Sequence, residues 1–299
     1  MALHRSPSRT RSRLAALATL AALVGGITFA HARSEPRGGT FASTVSTAAT
    51  PVPTTSPTKS AQLRAEEAVQ EVLAGAEGNA AVAVLDLSTG ESVQVGADRD
   101  FVTASIVKVD ILAALLLQAS DAGRLLTAQE QRWATVMIEN SDNAAASALW
   151  DAIGGADGMA KANLRLGLTE TTPGQGAYWG LTQTTPADQL RLLQAVFGEE
   201  SVLSANARAY LRGLMGSVAP DQDWGISAGL DDSGSVHLKN GWLARSESGL
   251  WVVNSIGQVE VDDHILLLAV LCDGQASQKA GIALVEDLAE RTRAAVTDG

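Results

Sequence analysis

The chain has 299 residues, one cysteine and a formal net charge of −11 at pH 7. An acidic chain lacks the clustered lysines and arginines that a phosphate backbone requires, so we expect no nucleic acid partner. The single cysteine, Cys272, excludes an internal disulfide, and only two histidines lie beyond the first 32 residues. We therefore expect no metal site, and no glycine-rich phosphate or dinucleotide motif indicates a cofactor.

Residues 1–32 have the features of a secretory signal peptide. Four arginines precede an apolar run, and Ala30-His31-Ala32 matches the A-x-A pattern of a cleavage site. The alternative is a membrane helix, for which the run is short and interrupted by two glycines. Cleavage predicts a secreted, extracytoplasmic product that begins at Arg33 and has no stable membrane span. Loss of the four arginines makes its net charge −15.

Residues 33–60 are rich in Ser, Thr, Pro and Gly, and this composition predicts a disordered linker. Residues 61–299 have the composition of a globular domain, which we expect to be a monomer. That length fits one mixed α/β domain with an inserted lobe.

Helical and strand patterns follow one another along residues 61–299. The predicted elements are, in order, a helix capped by Ser60, a hairpin over 79–96, helices over 103–119, 127–140 and 142–153, a long loop over 164–185, a helix capped by Thr185, strands over 234–243, 250–260 and 264–274, and a helix over 278–295. Short turns between neighbouring strands favour antiparallel pairing. The predicted fold class is mixed α/β: an antiparallel sheet of about five strands flanked by helices, with an inserted all-helical lobe.

The apolar helix over 103–119 carries a serine and a lysine three residues apart, Ser105 and Lys108. At this spacing the two side chains share one helix face. A lysine in apolar surroundings loses its proton more easily, so its amine could accept the serine hydroxyl proton. The alternative is an N-capping serine and a lysine that extends its charge to solvent. The spacing alone is not specific, because Ser56 and Lys59 in the linker share it.

Two further motifs follow in the chain. Ser141-Asp142-Asn143 and Lys239-Asn240-Gly241 come after Ser105-x-x-Lys108 in the order typical of penicillin-recognising serine enzymes. The chain thus resembles the class A β-lactamases and their D,D-peptidase relatives over about residues 61–296. The segment "TQTTPADQLRLL" resembles the helix start that follows the Ω-loop of that family.

The resemblance implies a role for each motif residue. Ser105 is the nucleophile that becomes acylated, and Lys108 is its proton partner. Ser141 passes a proton to the leaving nitrogen, while Lys239 adds positive charge beside it and beside the substrate carboxylate. The implied substrate-binding residues are Asn143, Asn240, Gly241 and Trp242. The backbone N–H groups of Ser105 and Trp242 would together form the oxyanion hole.

Two features depart from the family pattern. Asn240 replaces the threonine or serine of the usual K-T-G or K-S-G motif, which changes the donor offered to a carboxylate. Thr172-Pro173 occupies the place of the Glu-Pro pair whose glutamate activates the deacylating water, whereas a shifted alignment places Glu170 there. A general base contributes roughly 10²–10⁴ in rate. An enzyme without it is expected to acylate and then stall, or to hydrolyse something other than a β-lactam.

Three functions are consistent with these observations. The first is an exported serine hydrolase of the class A β-lactamase type, which opens β-lactams or related amides through a Ser105 acyl-enzyme. The second is a D,D-peptidase-like enzyme that acts on cell-wall peptides. The third is a degenerate, non-catalytic module that binds the cell wall.

Overall fold

The computed structural model describes residues 59–96, 99–230 and 234–298. The predicted signal peptide and almost all of the predicted linker lie outside these residues. Among the described helices, none combines the length and apolar character that crossing a membrane requires.

Seven strands form two antiparallel sheets within the described residues. The strands are β1 Asn79–Asp86, β2 Ser92–Val95, β3 Phe101–Val102, β4 Gln183–Thr184, β5 Val236–Ala244, β6 Trp251–Val261 and β7 His264–Gln275. Five of them form the main sheet in the order β2-β1-β7-β6-β5, whereas β3 and β4 form a separate short ladder. The N-terminal hairpin therefore joins the C-terminal strands through the β1–β7 pair.

Eight α-helices surround the main sheet in the described part of the chain. They are α1 Ala61–Leu73, α2 Val107–Asp121, α3 Ala128–Glu139, α4 Asn143–Ile153, α5 Gly155–Leu166, α6 Pro186–Phe197, α7 Ala205–Met215 and α8 Gln278–Thr297. Helices α2 to α7 lie between β3 and β5 in the chain and form the inserted lobe. The predicted five-stranded antiparallel sheet with flanking helices is confirmed.

The sheet separates two hydrophobic cores because side chains alternate along each strand. In β1, Val82 and Val84 belong to the core that contains residues of α1 and α8. Ala81 and Ala83, on the opposite face, belong to the core formed with the inserted lobe. The lobe therefore packs on one face of the sheet, and its first helix, α2, brings the Ser105 segment to that face.

Side-chain caps fix the starts of the helices. Thr127 and Glu130 form both bonds of a capping box at α3. At α6, Thr185 Oγ1 accepts a hydrogen bond from the Asp188 N–H, and Pro186 occupies the first helical position. These helix starts agree with the predictions from the sequence.

Two predicted boundaries are wrong. Residues 103–119 were expected to be one helix, but a 3₁₀ turn over Ala104–Ile106 precedes α2 because Ala104 has a φ of +47°. The long loop was expected to begin at residue 164, but α5, a helix that the sequence patterns did not predict, continues to Leu166 and is capped by Gly167, whose φ is +77°. The connection between α5 and α6 is called the 167–185 loop below.

Candidate active site

The turn that carries Ser105 is held in an uncommon backbone conformation. Ala104 lies in the left-handed region, which costs a non-glycine residue roughly 1 kcal/mol or more. Both Ala104 and Ile106 are buried and anchor the turn, while the Ser105 side chain is only half-buried. The serine hydroxyl is thereby presented at the head of α2.

Lys108 lies fully buried one turn after Ser105 and contacts three side chains. Its Nζ atom is 2.9 Å from Ser105 Oγ, 3.0 Å from Ser141 Oγ and 2.8 Å from Asn143 Oδ1. It also donates to the Ser141 carbonyl at 2.7 Å. Burial lowers the pKa of Lys108 to about 7, and the negative charge of Asp142 opposes this shift only in part. The amine therefore loses its proton far more easily than an exposed lysine does.

Ser141 and Asn143 are positioned by the junction of α3 and α4. Ser141 has a φ of +56°, so the chain turns sharply between the two helices. Asp142 then caps α4 by accepting a hydrogen bond from the Ala145 N–H at 2.7 Å. The side chain of Asp142 thus fixes the helix start, while its two neighbours contact Lys108.

Lys239 approaches the same hydroxyl from β5. Its Nζ atom donates to Ser141 Oγ at 3.1 Å and to the Asn240 carbonyl at 2.8 Å. Burial, followed by the nearby charge of Lys108, lowers the pKa of Lys239 well below its ordinary value. Hydrogen bonds therefore connect the four residues predicted to be catalytic: Ser105, Lys108, Ser141 and Lys239.

Gly241 allows β5 to pass close to the Ser105 turn. A Cβ atom at this position would lie 2.7 Å from the Ser105 nitrogen and 2.8 Å from the Ile106 nitrogen. A side chain at residue 241 would therefore displace the turn. This contact is a different reason for glycine from the expected approach of substrate to the strand.

Asn240, predicted to bind substrate, has its amide donors engaged elsewhere. Its Nδ2 atom donates to the carbonyls of Gln222 and Trp224, both at 2.8 Å. Binding of a substrate carboxylate by this amide would require one of those bonds to break. The side chain of Trp242 packs against Trp224, with 5.8 Å between ring centroids. Asn240 and Trp242 thus attach β5 to the 220–225 segment.

The 167–185 loop is attached to the strand that precedes the Ser105 turn. Thr172 exchanges two backbone hydrogen bonds of 2.9 Å with Gln183 of β4, and β4 pairs with β3. The Thr172 side chain is exposed. Glu170 contacts α6 instead, where its carboxylate accepts from Thr185 Oγ1 at 3.2 Å and lies 3.6 Å from Arg191. Neither residue of the predicted deacylation region is among the hydrogen-bond partners of Lys108.

Trp179 is a site residue that the motifs did not predict. Its ring centroid lies 5.0 Å from Lys108 Nζ, and its indole N–H donates to Ser147 Oγ at 3.1 Å. The available signal was a pair of aromatic residues, Tyr178 and Trp179, inside a glycine-rich loop, where functional residues are often found. No period or spacing connects that pair to the three motifs.

A second unpredicted feature lies two residues beyond Lys108. Asp110 is buried against the side-chain amide of Asn163. The amide orientation that satisfies both groups places its nitrogen 3.0 and 3.1 Å from the two carboxylate oxygens. Burial raises the pKa of Asp110 to about 8; the hydrogen bond from Asn163 opposes the shift, and the charge of Asp188 adds to it. Asp188 itself accepts hydrogen bonds from the Glu170 N–H and from Thr171 Oγ1. The Asp188 carboxylate is thus bonded to the start of the 167–185 loop.

The described residues contain no group of three or more His, Cys, Asp or Glu side chains arranged to hold a metal ion. The chemistry available from these residues is a hydroxyl, two buried amines and a second hydroxyl between them. Such a set can move a proton away from one oxygen and toward a leaving group.

Comparison with known proteins agrees with this geometry. A sequence model of a protein family described as "Beta-lactamase enzyme family" matches residues 64–132 and 126–296 of the chain. A curated relative, "Putative lipoprotein LppW" of Mycobacterium tuberculosis, is 27% identical over 193 residues, which cover 62% of this chain and 61% of the relative. The match thus spans about three-fifths of that relative's length.

Two solved structures share the fold. A class A β-lactamase from Bacteroides cellulosilyticus has a TM-score of 0.71 at 16% identity, over 81% of this chain and 100% of that one. A PBP-A mutant in an acyl-enzyme complex with penicillin G has a TM-score of 0.69 at 22% identity, over 82% and 100% of the two chains. The family match extends over most of the described residues and confirms the resemblance drawn from the three motifs: the chain belongs to the beta-lactamase enzyme family.

Proposed function

We propose that this protein is an exported serine hydrolase that opens β-lactams or related amides through an acyl-enzyme on Ser105. The observation that carries the proposal is the 2.9 Å distance between Lys108 Nζ and Ser105 Oγ within a buried network. With a pKa of about 7, the lysine amine is available as a base at neutral pH and can accept the hydroxyl proton.

The proton then moves toward the leaving group through Ser141. Its hydroxyl lies 3.0 Å from the amine of Lys108 and 3.1 Å from that of Lys239. In the proposed step, Ser141 gives a proton to the departing nitrogen and regains one from Lys108. The oxyanion is stabilised by the backbone N–H groups of Ser105 and Trp242.

A D,D-peptidase-like activity on cell-wall peptides is the second candidate. It is favoured by the position of Glu170, whose carboxylate bonds to Thr185 and lies near Arg191 rather than at Lys108. With threonine at residue 172, the loop offers no carboxylate there to activate a deacylating water. An acyl-enzyme that reacts slowly with water persists long enough to meet an amine acceptor.

Export is proposed from the signal-peptide pattern of residues 1–32. The name of the mycobacterial relative as a lipoprotein supports a location outside the cytoplasm. N-terminal sequencing of the secreted protein should begin at Arg33. Recovery of a chain that retains Met1 in the membrane fraction would contradict cleavage.

Intact-mass spectrometry after incubation with penicillin G tests the acyl-enzyme. The wild type should gain the mass of one penicillin, and peptide mapping should place it on Ser105. Ser105→Ala should remain unlabelled. Ser120 is an exposed serine on α2, and Ser120→Ala should label like the wild type. Labelling that survives Ser105→Ala, or a wild type that never labels, contradicts the proposal, and the second result favours the non-catalytic module.

Turnover of a chromogenic cephalosporin separates the two enzymatic candidates. Multiple turnovers per protein molecule indicate a β-lactamase. A single burst followed by slow release indicates the D,D-peptidase-like reaction.

A further inference from the structure

Lys108 is surrounded by two kinds of neighbour. Hydrogen-bond acceptors from Ser105, Ser141 and Asn143 contact its Nζ atom at 2.7–3.0 Å. The ring of Trp179, with its centroid 5.0 Å away, is within the range of a cation–π contact. Together they leave the lysine side chain 0% exposed. Water therefore has no direct access to the proposed base.

The ring of Trp179 is fixed from two directions. The indole N–H donates to Ser147 Oγ. The backbone carbonyl of Trp179 accepts from the Thr182 N–H at 3.1 Å and from Thr182 Oγ1 at 2.8 Å. Thr182 is fully buried, and its hydroxyl also accepts from the Gly174 N–H at 3.0 Å. Hydrogen bonds within the 167–185 loop thus hold the backbone around Trp179 in place.

The partner of the indole lies on the same helix face as a Lys108 ligand. Asn143 and Ser147 are four residues apart on α4, so their side chains are neighbours. Asn143 Oδ1 contacts the lysine amine, and Ser147 Oγ holds the ring that packs over that amine. One face of α4 therefore positions both a polar and an aromatic neighbour of Lys108.

We propose that Trp179 is a positioning residue that covers Lys108 and keeps water away from the acyl group on Ser105. The inference deepens the proposed function and rests on it for the acyl-enzyme, but the cover itself does not require a substrate. Hydrolysis would need a water oxygen to bond to the acyl carbon as the Ser105 Oγ–carbon bond breaks. One water proton would pass through Lys108 to Ser105 Oγ, and a carboxylic acid would leave.

Two effects of the ring on the lysine oppose each other. A cation–π contact stabilises the charged amine. Exclusion of water destabilises the same charge. Burial is the cause that lowers the pKa of Lys108, and we expect the ring, as part of that burial, to act chiefly in this way. Removal of the ring should therefore raise the pKa of Lys108. If the cation–π contact dominated instead, removal would lower it.

The first experiment measures the titration of Lys108 without any substrate. The chain has five lysines, so ¹³Cε-lysine NMR gives few signals, which Lys→Met variants assign. In Trp179→Ala the midpoint for Lys108 should rise by about one pH unit. Trp179→Phe retains a ring and should show less than half of that shift. Tyr178→Ala removes the neighbouring aromatic side chain, which is 69% exposed, and should leave the midpoint in place.

The second experiment measures the lifetime of the penicillin G adduct by intact mass. Loss of the adduct should be faster in Trp179→Ala by on the order of tenfold, because water reaches the ester. Trp179→Phe should restore most of the wild-type lifetime. Thermal melting of each variant shows whether the fold is retained, and Trp179→Phe carries the test if Trp179→Ala does not fold.

The outcomes separate this inference from the proposed function. If the titration midpoint of Lys108 is unchanged or lowered in a folded Trp179→Ala protein, Trp179 does not cover Lys108, whatever the activity. A raised midpoint with an unchanged adduct lifetime overturns the exclusion of water from the ester. If the wild type forms no adduct, the proposed function fails, and the titration alone supports or overturns the cover.

Discussion

Two groups of residues surround Lys108, and they differ in chemistry. The motif residues Ser105, Ser141 and Lys239 form a connected set of hydroxyls and amines. The 167–185 loop contributes an aromatic ring, that of Trp179, while the carboxylate of Glu170 contacts α6. The first group has the parts for forming an acyl-enzyme, whereas the second offers cover and no carboxylate at the lysine. Under the proposed function, forming and hydrolysing the ester would therefore depend on separate parts of the molecule.

Removal of the proposed base, Lys108, should have the largest effect on the rate of acylation. Lys108→Met should slow acylation of Ser105 by about 10²–10⁴-fold, because the hydroxyl loses its proton acceptor. The rate should be measured by intact-mass spectrometry of samples quenched at successive times, at several pH values between about 5 and 9. In the wild type it should rise with pH and level off above about 7, the pKa of Lys108.

Lys161→Met is the matched control, since Lys161 is an exposed lysine on α5. It should acylate like the wild type at every pH. A Lys108→Met protein that keeps the wild-type rate and pH profile would show that another group accepts the proton.

The motif residues were predictable because their identities and order are specific. Ser105 and Lys108 lie one helical turn apart, so the contact between them follows from local geometry. Their meeting with Lys239 depends on β5 pairing beside the Ser105 turn, a tertiary contact that the family resemblance supplied. The close packing of Gly241 on that turn could not be predicted from spacing.

The loop was less predictable for physical reasons. It has no helical or strand period, so the sequence did not place Trp179 or show which way Glu170 points. The raised pKa of Asp110 was not predicted, because an aspartate in an apolar helical segment does not show from sequence whether its carboxyl group is buried and protonated. The sheet and six of the eight described helices were predictable, since their apolar patterns and caps are local, whereas α5 and α7 were not predicted.

Asp110 makes stability depend on pH. Its pKa is raised to about 8, so the folded protein keeps a proton that the unfolded chain releases near pH 4. Stability should therefore fall as pH rises from about 4 to about 8. Asp110→Asn should remove this loss, which between pH 5 and pH 8 is on the order of 3 kcal/mol at most. Urea unfolding at the two pH values measures it.

Asp151→Asn is the control for this measurement, because Asp151 is exposed on α4. It should change the free energy of unfolding by the same small amount at both pH values. A wild type whose stability rises between pH 5 and pH 8, with Asp110→Asn following the same curve, would contradict a neutral Asp110.

Gly241 tests how closely β5 must approach the Ser105 turn. Gly241→Ala places a Cβ atom 2.7 Å from the Ser105 nitrogen, so either the strand or the turn must move. We expect a loss of about 1–3 kcal/mol in the free energy of unfolding, together with slower acylation. Gly213→Ala on α7 meets no atom within 4 Å and should instead stabilise the protein by about 0.5–1 kcal/mol. Equal stability of the two variants would mean that the approach is not tight.

A carboxylate added to the loop should have the smallest effect. Thr172 lies on the strand-like segment that pairs with β4, and β4 pairs with the strand before the Ser105 turn. Thr172→Glu would place a general base in this segment. A well-placed base is worth roughly 10²–10⁴, but a misplacement of about 1 Å can cost 10²-fold. We therefore expect release of the penicillin G adduct to become faster by on the order of tenfold.

The comparison that decides is between a charged and a neutral side chain of equal size. Thr172→Gln should release the adduct at the wild-type rate, because an amide cannot accept a proton from water. Glu170→Gln should also leave the rate unchanged, since the Glu170 carboxylate is bonded to Thr185 and lies beside Arg191. If Glu170→Gln alone stops deacylation in a single turnover, Glu170 is the base, and the loop must rearrange during the reaction to bring it from α6 to the ester.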